Sequence, residues 1–98
     1  MSYSIRTISK AEQDIASAIE WYLEISKDLA IRFNQELDEI FSKLLAFPEA
    51  YPIVFLDMRM YLMKTYPYKI LYVIDGSEII IHAVVHHKMH PNSWQRNR

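Results

Sequence analysis

The chain has 98 residues, 51% of them hydrophobic and 23% charged, with one glycine and no cysteine. That length fits a single domain, residues 1–98, and the composition excludes disulfides, thiolate zinc sites, a cysteine nucleophile and glycine-rich phosphate loops. The formal net charge of −1 is unevenly divided: residues 1–50 carry five Lys/Arg against nine Asp/Glu, residues 51–98 six against three, and all four histidines lie in the second half. Such a split fits either a cationic face that meets an anionic partner or ordinary solvated charge. No apolar run approaches the roughly 20 residues that span a bilayer, and the N-terminus has no apolar leader segment, so a cytoplasmic location is expected.

Residues 3–8 alternate and carry β-formers, which predicts a short first strand. Ser9 followed by Glu12 reads as a capping box, placing a helix start near Lys10. Ala11, Ile15, Ala18, Ile19, Tyr22 and Ile25 recur at steps of three or four and form the apolar stripe of that helix, with Asp14 and Glu20 off the stripe and solvated. Ser26 to Asp28 marks a break and a second helix N-terminus. Leu29, Phe33, Leu37, Ile40, Phe41 and Leu44 are its stripe, and it stops before Pro48. So short a turn predicts a helical hairpin.

From Tyr51 the period becomes two. Strands are predicted at 52–56, 59–66, 68–74 and 78–86, with Asp75-Gly76 as the two central residues of a hairpin turn, both at positive φ. Strict alternation over the last strand puts Ile79, Ile81, Ala83 and Val85 on one face and Ile80, His82, Val84 and His86 on the other. The reading is an α+β domain, β-α-α-β-β-β(-β), with a helical hairpin on one face of a small, mostly antiparallel sheet. The other face still carries Ile80 and Val84, an apolar strip of the kind that marks a binding surface; Trp94 of the C-terminal segment could cover it instead.

His82, His86, His87 and His90 form the sharpest local cluster. On one strand face His82 and His86 stand roughly 13 Å apart, too far to share an ion, so no metal is expected. General acid–base chemistry by these histidines beside Lys88 and Arg96 has suitable residue types, since imidazole titrates near neutrality. Serine catalysis lacks a glycine elbow, and the helix carboxylates have no evident cleft.

The order and spacing of Asp14, Ala18, Trp21-Tyr22, Leu29-Ala30, Phe33, Leu37, Leu44, Pro48, Tyr51-Pro52, Arg59, Leu62, Pro67-Tyr68, Ile70, Tyr72, Ile79, Ile81, Val84, His86, Pro91, Trp94 and Arg96 resemble the RelE/ParE toxin superfamily of type II toxin–antitoxin modules, over nearly the whole chain. The resemblance implies a small protein that arrests growth and is silenced by a cognate antitoxin, whose disordered segment wraps apolar grooves. Trp21, Phe33, Leu37, Ile80 and Val84 are the antitoxin contacts expected on that basis. The RelE branch cleaves mRNA on the ribosome with lysines and arginines. Alignment with it puts Met60 and Leu62 at two lysine positions, Lys69 at one arginine position and Met89 at or near the other; methionine and leucine supply neither charge nor proton.

The ParE branch, which resembles a protein-binding module and includes members that poison DNA gyrase, is therefore favoured. Arg59, Lys64, Lys69, Lys88, Trp94 and Arg96 are the expected target-binding face. The alternative, a ribosome-dependent mRNA endoribonuclease, would draw on His86, His87, Lys88, His90 and Arg96. An inactive plasmid-stabilisation protein is a third reading. No cofactor and no membrane are expected; the partners are an antitoxin and either gyrase or the ribosome with its mRNA.

Overall fold

The structure is a computed structural model and describes residues 2–88. The order is β1 (Ser4–Thr7), α1 (Ser9–Ile25), α2 (Lys27–Ala46), a 3-10 turn (Pro48–Ala50), β2 (Ile53–Phe55), β3 (Met58–Leu62), β4 (Tyr68–Asp75) and β5 (Glu78–His86). The five strands form one sheet in the order β1-β5-β4-β3-β2. β1 runs parallel to β5, and the other neighbours are antiparallel.

The helices follow their apolar stripes. Ala11 and Ala18 of α1 and Ala30, Phe33, Leu37, Ile40 and Leu44 of α2 are buried, in a core shared with Ile70, Tyr72, Ile79, Ile81 and Val84 of the sheet. Ser26, the sole residue between the helices, caps α2 by accepting a hydrogen bond from the Leu29 N–H at 3.4 Å. Three details differ from the sequence reading. Ile25, placed on the α1 stripe, is exposed because it is the last residue of the helix. The capping box does not form: α1 starts at Ser9 itself, with no side-chain cap. The Ile8 N–H is still tied to the Ile81 carbonyl in the ladder while the Ile8 carbonyl accepts from Glu12, so strand and helix abut and leave no linker for a cap.

The third strand ends at Leu62, four residues earlier than expected. Met63 to Pro67 form a loop tied down by the Tyr66 hydroxyl, which donates to the Leu29 carbonyl at 2.8 Å. At the β4–β5 turn, Asp75 pairs with Glu78, so the central residues are Gly76 and Ser77 and not Asp75 and Gly76. Only Gly76 has positive φ (62°), the pattern of a type II′ turn.

The largest correction concerns β5. Leu71 pairs with Ala83 while Tyr72 pairs with Ile81, leaving His82 as the extra residue of a β-bulge. A bulge reverses the facing of every residue beyond it. Ile79, Ile81 and Val84 therefore point to the helices, whereas Ile80, Ala83 and Val85 point away. Ile80 and Val84, read as sharing a face, are on opposite faces, and so are Ile81 and Ala83.

Candidate functional site

Beyond Thr7 the chain turns into α1, while β5 continues five residues past its last rung with β1, Thr7 with Ile81. The far part of β5 thus borders a helix and not a strand, and its backbone needs other partners. Asp14 supplies one. Its Oδ2 accepts from the Val84 N–H at 3.0 Å, and both carboxylate oxygens accept from Lys10 Nζ at 2.6 and 2.8 Å. The side chain is only 17% exposed, which corrects the expectation of a solvated residue.

Along this junction runs a groove of about 290 Å³ lined by Asp14, Ala18, Trp21, Tyr68, Val84 and His86 among others. Trp21 is 60% exposed at its edge, a large apolar surface left in water. The His86 ring meets Tyr68 edge-on at 5.5 Å, and its Nδ1 accepts from the Lys88 backbone N–H at 3.1 Å. That bond requires Nδ1 to be unprotonated. His87 Nε2 lies 3.2 Å from the Tyr68 carbonyl and donates to it. Both imidazoles are thus engaged in holding the end of β5 against the start of β4.

The remaining expected contacts divide clearly. Of the residues assigned to antitoxin contact, only Trp21 presents surface: Phe33 is 0% exposed, Leu37 is buried between helices and sheet, and Ile80 and Val84 are 8% and 2% exposed. The sheet face away from the helices is not the open apolar strip expected, since Met58, Leu71, Val73, Ile80, Ala83 and Val85 form a second buried cluster. Arg59 does not join a cationic patch. It faces the helical side, where its Nη1 donates to the carbonyls of Glu49 and Tyr51 at 3.1 and 2.7 Å and holds the turn before β2. Lys64 and Lys88 are exposed. Met60, Leu62 and Lys69 share the sheet face away from the helices, Leu62 directly paired with Lys69. Met89, His90, Trp94 and Arg96 lie outside the described residues, as does any cover Trp94 could provide. No group of three or more His, Cys, Asp or Glu among the described residues could hold a metal ion.

Burial also sets the tyrosine chemistry. Tyr72, fully buried, donates to the Pro48 carbonyl at 2.6 Å and has its pKa pushed up to about 12 by desolvation. Burial likewise raises Tyr22, Tyr66 and Tyr68. Each holds its proton more tightly folded than unfolded, so stability is fully present below pH 10 and falls as pH climbs from 10 towards 12. Thermal melts across that window should show a steep alkaline loss of Tm, shallower in Tyr72→Phe; an unchanged slope in that variant would remove Tyr72 from the account.

The described residues contain no helix long and apolar enough to cross a membrane. A comparison with curated proteins finds no match. Among solved structures, the chain resembles one described as "Chromosomal ParDE TA system from P. aeruginosa", with a TM-score of 0.74, 22% identity, and coverage of 86% of this chain and 95% of that one. At that identity the likeness speaks for the fold. The family model described as "ParE toxin of type II toxin-antitoxin system, parDE" matches residues 5–91, which include both helices, strands β2 to β5, β1 from Ile5 on, and the Trp21 groove. The chain belongs to the ParE toxin family of type II toxin–antitoxin systems.

Proposed function

We propose that this protein arrests growth by binding an intracellular protein target, DNA gyrase being the one the family points to, and that a cognate antitoxin silences it by docking on the Trp21 groove. The observation that carries the binding reading is the chemistry of the sheet face where the nuclease branch keeps its cations. Met60 and Leu62 stand beside Lys69 on that face. Thioether and isobutyl groups can neither take a proton nor stabilise a developing phosphorane. His86 accepts from the Lys88 backbone N–H and His87 contacts the Tyr68 carbonyl, so both are engaged with backbone.

For the antitoxin, the motive is the exposed indole beside a strand end that has a helix for a neighbour. A segment that folds on binding gains most from such an anchor.

Purified protein is expected to inhibit gyrase supercoiling and to leave mRNA intact on translating ribosomes. Cleavage at the A-site codon would replace this reading with the nuclease one. Co-expression of the neighbouring reading frame should relieve the arrest, and Trp21→Asp should stay toxic while escaping that relief. Relief undiminished in Trp21→Asp would move the antitoxin elsewhere.

A further inference from the structure

The two tight hairpins of the sheet have the same length but different chemistry at one position. In β4–β5 the first central residue is Gly76, at φ 62°; in β2–β3, where Phe55 pairs with Met58, it is Leu56, at φ 52°. Glycine adopts positive φ freely, whereas a bulky side chain there is strained against its own backbone. Leu56 gains no burial in exchange: it is 70% exposed, the most exposed of the large hydrophobic residues described. A strained apolar residue at the tip of a hairpin is costly twice over, and such costs concentrate where a surface is used.

Its surroundings say what it fits. Ile53 and Val54 of β2 are also exposed, and β2 is an outer strand of the sheet without a charged residue of its own. Pro52 at its start, its three-residue length and the register irregularity between Ile53 and Phe55 guard this edge against pairing with another strand, so what it offers a partner is apolar side chains. The rim is anionic. Asp57 follows Leu56 in the turn, Glu49 lies exposed on the preceding 3-10 turn, and Asp57 and Asp75 line a depression of about 470 Å³ on the sheet face away from the helices. Glu49, Asp57, Asp75 and Glu78 outnumber the two arginines among them: Arg6, also on that depression, pairs with Glu78 at 3.3 Å, and Arg59 is held on the helical side by the Glu49 and Tyr51 carbonyls.

We infer that the β2–β3 hairpin tip, with Leu56 as its apolar knob, is the element by which this protein engages its target, and that the complementary surface is an apolar cleft rimmed by lysines or arginines on another protein. The inference rests on the reading that the protein acts by binding a protein target. A second copy of this chain does not fit, because pairing two β2 edges about a two-fold axis would bring Glu49 and Asp57 of both copies into one contact. The Trp21 groove is at the β5 side, with β4 and β3 between it and β2, so antitoxin and target would grip opposite edges.

The test is Leu56→Gly, a change that relieves the backbone while deleting the knob, with Leu56→Met as the control that keeps an apolar side chain. Melting temperature, growth arrest on induction and sedimentation equilibrium are measured for each. Leu56→Gly is expected to melt at or above wild type yet to arrest growth about tenfold or more less effectively, as truncation of a central apolar anchor does, with Leu56→Met still toxic. Full arrest by a folded Leu56→Gly overturns the assignment, and so does a lower melting temperature, which would make Leu56 a structural residue. A wild-type dimer that Leu56→Gly dissolves would identify a second copy as the occupant and overturn it too. Failure of the wild type to arrest growth at all would reject the functional reading itself, and this inference with it.

Discussion

Phe33→Ala is expected to cost about 3–5 kcal/mol, the range for removing a fully enclosed aromatic ring, and to lower Tm by about 15 °C or more in a domain of this size. Phe33 is 0% exposed, with the rings of Tyr22, Tyr66 and Tyr68 centred 5.5, 5.1 and 5.6 Å away. Tyr22 and Tyr66 in turn stack edge-on at 5.0 Å. The ring thus joins α1, α2, the 63–67 loop and the start of β4, and its loss leaves a void that four elements would have to collapse into. Net stabilities of roughly 5–15 kcal/mol leave little after such a loss, so toxicity should disappear through unfolding and not through a lost contact. Trp21→Ala is the contrast. An exposed indole changes stability by about 0.5 kcal/mol or less. Circular dichroism melts decide between them: a Phe33→Ala protein melting within a few degrees of wild type would mean that the aromatic cluster is not the keystone of the helix–sheet junction.

The same residue shows where sequence reasoning holds and where it stops. Phe33 and Leu37 fall on the α2 stripe by periodicity alone, and burial follows from that; their assignment to antitoxin contact came from the resemblance and set aside what the stripe already implied. Both helices, their break at Ser26 and the stop before Pro48 were legible because helix signals are local, carried by spacing and caps. The facing of β5 was not. Its nine residues alternate without a flaw, and the bulge at His82 is visible only as a mismatch with the eight residues of β4 that pair with it from Tyr68 to Asp75. Alternation cannot register an inserted residue until the partner strand is known. The hairpin tip at Leu56 was similarly read as the end of a strand, since leucine offers no turn signal. Its positive φ is imposed by a two-residue connection that only the pairing of Phe55 with Met58 defines.

Asp14 is the other residue that the helical period misplaced, and it carries the second large prediction. Asp14→Ala should cost about 2–3 kcal/mol, because the Val84 N–H would lose a charged acceptor at a largely enclosed site and keep the full penalty of its desolvation. Asp14→Asn separates the two roles of the carboxylate. The amide oxygen can still accept from Val84, while the ion pair with Lys10, itself 39% exposed, is lost and is worth at most about 1 kcal/mol. The expected order of stability is therefore wild type, then Asn close behind, then Ala. Hydrogen exchange should show the Val84 amide unprotected in Asp14→Ala and protected in Asp14→Asn. Equal losses in the two variants would assign the stabilisation to Lys10, and no loss in either would leave the cap idle. The link matters beyond stability, since the Asp14 carboxylate ties the Val84 N–H to α1 where β1 has ended. Without it the end of β5 that carries His86 and walls the Trp21 groove would lose its hydrogen bond to α1, so Asp14→Ala should also blunt antitoxin relief of the arrest, although Trp21 itself is untouched.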